Sequence, residues 1–315
     1  MSKWIFMFVC GLAVSISLAE NPPLPTGKFI TPPPAPEYGV GDMPLDLAVS
    51  PDGKYAIVSD IGYRQSLWSV STDDGKTIDH YDYSTPQRSA EGENPMPGAP
   101  AETSNGNGNF RGRRGGGNRS NGLYYGLAIA ADGTVYAAQG AHNSVAVFSL
   151  GDDGKLKANG QIRGKSGDFP AGIALDKNGR LFVADNGASS TGNDPYKTPG
   201  SVAIYDVSSR KELGRYTFSS SFGGTSNFPF GIVATGDGSK AYVASERDDC
   251  VYALDTRDPA NPTLAGKIST GAHPVCVILN KDESRLFVAN SLSDTIRLST
   301  LHRTRSSAQF SCGRN

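Results

Sequence analysis

One unit recurs five times along the chain: a short turn with Pro or a small residue, an alternating apolar strand, an Asp-Gly-type turn, and a second apolar strand ending on a polar residue. The copies begin at Met43-Pro44-Leu45, Tyr124-Tyr125-Gly126, Phe169-Pro170-Ala171, Phe228-Pro229-Phe230 and His273-Pro274-Val275. Their second strands close on Val58-Ser59-Asp60, Tyr136-Ala137-Ala138, Val183-Ala184-Asp185, Val243-Ala244-Ser245 and Val288-Ala289-Asn290. A unit of two or three short strands cannot bury both faces of its own sheet, so copies of it must stack on one another.

The turns fall at positions 52, 132, 178, 237 and 282, separated by 80, 46, 59 and 45 residues. Two of these intervals match one four-stranded propeller blade of about 40–50 residues. Asp52-Gly53, Asp132-Gly133, Asn178-Gly179 and Asp237-Gly238 between apolar runs are hairpin signals, because both central residues of a type I′ turn need positive φ. Third strands follow at Ser144–Phe148, Ser201–Asp206 and Cys250–Asp255, and a weaker fourth at Glu212–Phe218. A sandwich would supply similar strands without the repeat. The fold expected is therefore all-β, a β-propeller of four-stranded antiparallel blades, about five of them recognisable and the last incomplete.

Composition agrees with this. Gly (38) and Pro (20) are abundant in 315 residues, and both are costly inside helices and at home in turns. Lys+Arg 30 against Asp+Glu 31 excludes the cationic surplus that nucleic-acid affinity needs.

The long intervals have local causes. Residues 84–121 hold eight Gly, six Asn and four Pro, with Met96 and Phe110 as the large apolar residues, too little apolar surface to order itself. The core of this insert, Arg111–Arg119, resembles Arg-Gly tracts, but it shares its loop with Glu91, Glu93 and Glu102, and a disordered surface excursion is the expectation over a nucleic-acid contact. A smaller insert runs from Asn186 to Pro199.

At the N-terminus, Lys3, the uncharged run Trp4–Leu18 and the small-x-small site Ser17-Leu18-Ala19 read as an export signal over 1–19. The run is 15 residues, short of the roughly 20 that span a bilayer. Cleavage leaves 29 basic and 31 acidic residues, a net charge of −2. A Pro-rich linker over 20–37 leads into the repeats, and export to the periplasm or outside the cell follows from this end of the chain; a monomer is expected. Cys250, Cys276 and Cys312 have no metal-ligand spacing; Cys250 and Cys276 read as small strand residues rather than a cross-link. The propeller is expected over 38–296. From Arg297 to Asn315 the repeat lapses into four Arg, four Ser and no acidic residue, which reads as a tail foreign to the fold, as a shifted frame or truncated gene would produce.

The Ser50-Pro51-Asp52-Gly53-Lys54 turn and the Phe287-Val288-Ala289-Asn290 strand resemble those of YVTN-type propellers in the lactonase-like superfamily, normally about seven-bladed. Gly41–Leu45, Asp60–Trp68, Tyr136–His142 and Gly271–Pro274 are similar to the N-terminal propeller of exported two-domain proteins in which an alkaline-phosphatase-like phosphoesterase follows. The resemblance covers about residues 38–296 and implies a truncated relative lacking that phosphoesterase, so none of its catalytic residues carries over.

In a YVTN-type blade the first strand lines the channel, and the loops before it and after strand two open on one face. That face would collect Asp46, Asp60, Tyr125, Gln139, Asp185, Asn186, Glu246, Arg247, His273 and Asn290, a surface for an unidentified protein or small-molecule ligand. Their oxygen atoms suit Ca²⁺, with Asp185 and Asn186 as its candidates, although polar residues after strand two are first of all turn formers. No cofactor is otherwise expected. His80, His142, His273 and His302 are too few for a copper cluster, and Cys-x-x-Cys-His and Gly-x-Ser-x-Gly are absent. The expected role is a binding or scaffolding module without bond chemistry. The alternative is a gluconolactonase-type lactone hydrolase using a metal or an acid–base pair on the same face.

Overall fold

A computed structural model describes residues 39–41, 43–62, 65–83, 122–187, 198–219 and 227–301. The export signal, the Pro-rich linker, the 84–121 insert, Cys312 and most of the 297–315 tail lie outside these residues, as does most of the Asn186–Pro199 insert. The described residues belong to one compact unit, Tyr38–Asn315.

Among the described residues nineteen strands form five antiparallel sheets, each laid down in chain order. Blade one is β1 (Pro44–Val49), β2 (Tyr55–Asp60), β3 (Ser66–Ser71) and β4 (Thr77–Asp82). Blade two is β5 (Leu127–Ile129), β6 (Thr134–Gln139), β7 (Ser144–Leu150) and β8 (Leu156–Arg163). Blade three is β9 (Pro170–Leu175), β10 (Arg180–Asp185), β11 (Ser201–Asp206) and β12 (Lys211–Thr217). Blade four is β13 (Pro229–Ala234), β14 (Lys240–Ser245), β15 (Cys250–Asp255) and β16 (Thr263–Ser269). Blade five has three strands among the described residues, β17 (Pro274–Leu279), β18 (Arg285–Asn290) and β19 (Thr295–Thr300). This is a β-propeller arrangement of five blades. Among the described residues a single 3₁₀ turn, Gly140–His142, is the helical element, and no helix is long and apolar enough to cross a membrane.

The strands alternate in two directions because both faces of a blade are covered. One face of β6, β7 and β8, through Tyr136, Val147 and Ile162, packs on Ile173, Val183 and Tyr205 of blade three. The opposite face of β6 and β7, through Val135, Ala137 and Phe148, packs on Ile57, Leu67 and Tyr81 of blade one. Blades three and four meet across Phe182, Ile204 and Val243, and blades four and five across Tyr242, Val251 and Val288. The core is therefore four slabs between successive blades.

Two sequence expectations need correction. The Asp-Gly turns are not type I′: Gly53, Gly133, Gly179 and Gly238 have φ of 75, 82, 75 and 65°, while the residues before them are not left-handed. The Asp side chain instead caps the following turn, as Asp132 Oδ1 does in accepting from Thr134 N at 2.9 Å, an Asx-type arrangement that leaves one left-handed position for Gly. In blade five Glu283 takes that position at φ 57°. The second correction is at the C-terminal end. The repeat was expected to lapse after 296, but β19 runs to Thr300 and pairs with β18 in unbroken register from Asn290↔Thr295 to Arg285↔Thr300.

Candidate functional site

The innermost strands β1, β5, β9, β13 and β17 converge on a channel whose closest approaches are set by one residue per blade. Gly126, Gly172 and Gly231 stand at equivalent places in β5, β9 and β13 or just before them. A Cβ on Gly172 would lie 2.2 Å from Phe230 O, and one on Gly231 would lie 2.4 Å from Val275 O. Asp46 and Cys276 take this place in blades one and five. Asp46 Oδ2 accepts from Leu127 N at 2.8 Å, linking blade one to blade two; burial raises its pKa against these backbone hydrogen bonds.

Residues from all five inner strands, with Asp46, Tyr125 and Cys276 among them, line a cavity of about 250 Å³. Tyr125 stacks on Phe230 with ring centroids 4.5 Å apart, and its phenol lies beside the Cys276 thiol. Burial pushes the Cys276 thiol up. Cys250 and Cys276 are both free, so no cross-link joins them. A larger depression of about 440 Å³, around Asp52–Tyr55 and Ser71–Asp73, is turn surface away from the channel.

At the end where the inner strands begin, a second cluster forms. Tyr124, just before β5, lies beside the Asn186 side chain and faces Glu246; burial pushes its phenol up to about 12. Its ring meets Phe169 edge-on at 4.9 Å and Phe230 at 5.9 Å. Glu246 Oε2 lies 3.3 Å from His273 Nε2, and burial pushes the Glu246 carboxyl up to about 7 against the opposing pull of Arg247. His273 Nδ1 lies 2.9 Å from Ser291 Oγ, and Arg247 sits over the Phe228 ring at 4.9 Å. Blades two to five thus each deliver a side chain to one mouth.

The backbone that aims these groups is strained in a repeated way. Phe169, Phe228 and His273 have φ of 56, 56 and 58°, each immediately before a Pro, in a region that bulky residues rarely occupy. Held positions of this kind need fixed partners. Phe169 N donates to Asn143 Oδ1 at 3.1 Å, and His273 N to Asp249 Oδ1 at 2.9 Å. In both cases a turn residue of one blade clamps the entry of the next.

The ten sequence candidates separate into three groups. Glu246, Arg247 and His273 reach the mouth, Asn186 is fully buried beside Tyr124 at its edge, and Asp46 and Tyr125 face the channel. Asp60, Gln139, Asp185 and Asn290 occupy one equivalent position at the end of each second strand and are buried. There they tie strand two to strand three: Gln139 Oε1 accepts from Ser144 Oγ at 3.0 Å, Asp185 Oδ2 from Ser201 Oγ at 3.2 Å, and Asn290 Nδ2 donates to Thr295 Oγ1 at 3.1 Å. Asp60 Oδ2 meets Ser66 Oγ more loosely at 3.4 Å.

Asp185 also belongs to an ion network the sequence did not reveal. Arg215 Nη1 donates to Asp185 Oδ2 and Asp168 Oδ1 at 2.9 Å each, and Arg215 Nη2 to Glu212 Oε2 at 2.8 Å. Burial, then Asp168, raises the Asp185 carboxyl well above the usual range. The place a cation would take beside Asp185 is filled by this guanidinium. Among the described residues, no three His, Cys, Asp or Glu side chains are grouped to hold a metal ion, and the Asp185–Asn186 pair does not fit Ca²⁺. Tyr124, Phe169 and Ser291 were missed because each occupies a different repeat position; for Tyr124 and Phe169 the aromatics preceding β5, β9 and β13 were the available signal.

No protein-family model and no curated protein sequence matches the chain. Solved structures do. A protein from Lactobacillus plantarum superposes with TM-score 0.54 at 17% identity, over 82% of this chain and 70% of that one. A candidate 6-phosphogluconolactonase from Bacteroides uniformis gives 0.56 at 12%, over 82% and 66%. The protein U3-55K gives 0.54 at 12%, over 82% and 61%. At these identities the likeness speaks for architecture alone: the chain folds as a β-propeller with lactonase-like propellers among its structural neighbours.

Proposed function

We propose that this protein is an exported binding module that holds a small hydroxylated ring compound at the channel mouth and performs no bond chemistry on it. The observation that carries the reading is the convergence of Tyr124, Asn186, Glu246 and His273 from four blades. Together with the Phe169 and Phe230 rings they offer what such ligands need, apolar walls with a few placed polar groups. A Glu246 carboxyl held near pH 7 both donates and accepts hydrogen bonds.

A second reading is favoured by one contact, the Glu246–His273 pair at 3.3 Å. A carboxyl tuned toward neutrality beside an imidazole is a general acid–base arrangement, and in a lactone hydrolase it would activate water against the ring carbonyl. Calorimetry with a panel of aldonic acids and aldonolactones, run alongside lactone turnover, separates the two. Saturable binding without turnover supports the binding module. Turnover that Glu246→Gln abolishes would overturn it in favour of the hydrolase.

A further inference from the structure

The five equivalent positions that face the channel carry unequal side chains. Gly126, Gly172 and Gly231 leave three of them bare, and a Cβ there would lie 2.6, 2.2 and 2.4 Å from the backbone of the next blade. The other two carry Asp46 and Cys276. Tyr125, one residue before Gly126, brings its phenol beside the Cys276 thiol. All three groups line the cavity of about 250 Å³, which none of Tyr124, Asn186, Glu246 and His273 lines. Blades one, two and five thus join ionisable side chains in a space distinct from the mouth.

Each member of this trio gains negative charge on losing a proton, and no Lys, Arg or His lines the cavity to balance it. Burial raises the Asp46 carboxyl, the Tyr125 phenol and the Cys276 thiol, and the Asp46 charge adds to the rise at the other two. The Asp46 carboxylate is fixed in place: Oδ1 accepts from Leu47 N at 2.9 Å and Oδ2 from Leu127 N at 2.8 Å. Each oxygen keeps a lone pair for a further donor. A carboxylate in apolar surroundings gains from a cation that shares its site. The phenol and thiol stay protonated, so they act as hydrogen-bonding groups and not as metal ligands, which must lose their protons. Most of the remaining wall is aliphatic, with Leu127, Ile173, Ile232 and Val277 in it.

We propose that the channel cavity is a second binding site, for a small primary alkylammonium ion. The three N–H groups of such an ion match the three polar groups of the cavity: the Asp46 carboxylate, the Tyr125 phenol oxygen and, as the weakest acceptor, the Cys276 sulfur. The alkyl chain lies along the aliphatic wall. The Tyr125 ring, stacked on Phe230, adds an aromatic surface, which attracts a cation. Volume sets the size. Pockets for drug-sized ligands begin at about 300 Å³, so a cavity of about 250 Å³ suits an amine of a few carbons. The site is independent of what the mouth holds.

Amide chemical-shift mapping of the full chain with n-butylammonium chloride at neutral pH tests this, with 1-butanol, butyrate and tetramethylammonium chloride as comparison probes. Saturable shifts should centre on Leu127, Gly172, Gly231 and Val277. Butylammonium should bind at least about tenfold more tightly than the other three, the scale of a charge-assisted hydrogen bond. Butanol or butyrate binding as tightly would overturn the proposal, and so would shifts centred on Glu246 and Tyr124. Tetramethylammonium has no N–H, and its binding as tightly as butylammonium would overturn the three-donor match. These comparisons use the native protein and need no variant. Asp46→Asn keeps an oxygen for Leu127 N and should weaken butylammonium by about tenfold, with circular dichroism reporting that it is folded; unchanged affinity in the folded variant would sink the idea. Aldonate binding at the mouth should survive Asp46→Asn, and butylammonium binding should survive His273→Ala. Loss of butylammonium in His273→Ala would place the ion at the mouth and overturn the proposal, so its failure is distinct from failure of the functional reading.

Discussion

Glu246 is the residue whose environment says most about how the mouth works. His273, Tyr124 and Arg247 face it, and burial lifts its carboxyl from the ordinary 4.5 to about 7. Between those values the folded protein binds more protons than the unfolded chain, so stability falls as pH rises through this window. Below about 4.5 the penalty is absent, and above about 7 it is complete. Urea midpoints between pH 5 and 8 should therefore decline more steeply for the native protein than for Glu246→Gln; parallel profiles would contradict the burial account. Arg215 has a different task. Removing it in Arg215→Met strands Asp168 and Asp185 as buried unpaired carboxylates, a loss of about 3–5 kcal/mol, readable by denaturant unfolding at pH 7. The sequence brings Glu246, Arg247 and His273 to one face, but the Arg215 network is not legible from residue types. Arg215 lies in a half-exposed fourth strand and meets Asp185 from 30 residues away, so no local pattern announces it.

At the scale of the strand, the repeat was readable because period-two alternation survives wherever a blade is covered on both sides. The fourth strands were faint for the opposite reason: β4, β12 and β16 are half-exposed, and no buried face enforces a pattern. In blade five the strand signal lapsed because the closing Asp of β11 and β15, Asp206 and Asp255, has Thr300 in its place. Four of the ten site candidates, Asp60, Gln139, Asp185 and Asn290, owe their selection to the same regularity and are buried. The polar residue ending each second strand looked like a ligand group, yet its repetition reflects a recurrent tie to strand three. The channel glycines make a sharper prediction. Gly231→Ala would place a Cβ against the Val275 carbonyl and should cost about 1–3 kcal/mol by forcing blades apart. Cys276→Ala, at the equivalent place in blade five, should cost less, and thermal unfolding of the pair measures the contrast.

At the scale of the whole molecule, the five blades converge through their inner strands on one channel. Blades two to five each contribute one or two groups to the mouth, and the clamps at Asn143 and Asp249 fix the strained entries that carry Phe169 and His273. The account holds that this mouth, and neither the Arg215 network nor the turn surface near Asp52, is where a ligand sits. Amide chemical-shift mapping of the full chain, titrated with aldonic acids and aldonolactones, tests that claim most directly. The account predicts saturable shifts centred on Tyr124, Asn186, Glu246 and His273, lost in His273→Ala. Shifts centred on Arg215 or on Asp52–Tyr55, or shifts at the mouth that His273→Ala leaves intact, would contradict it.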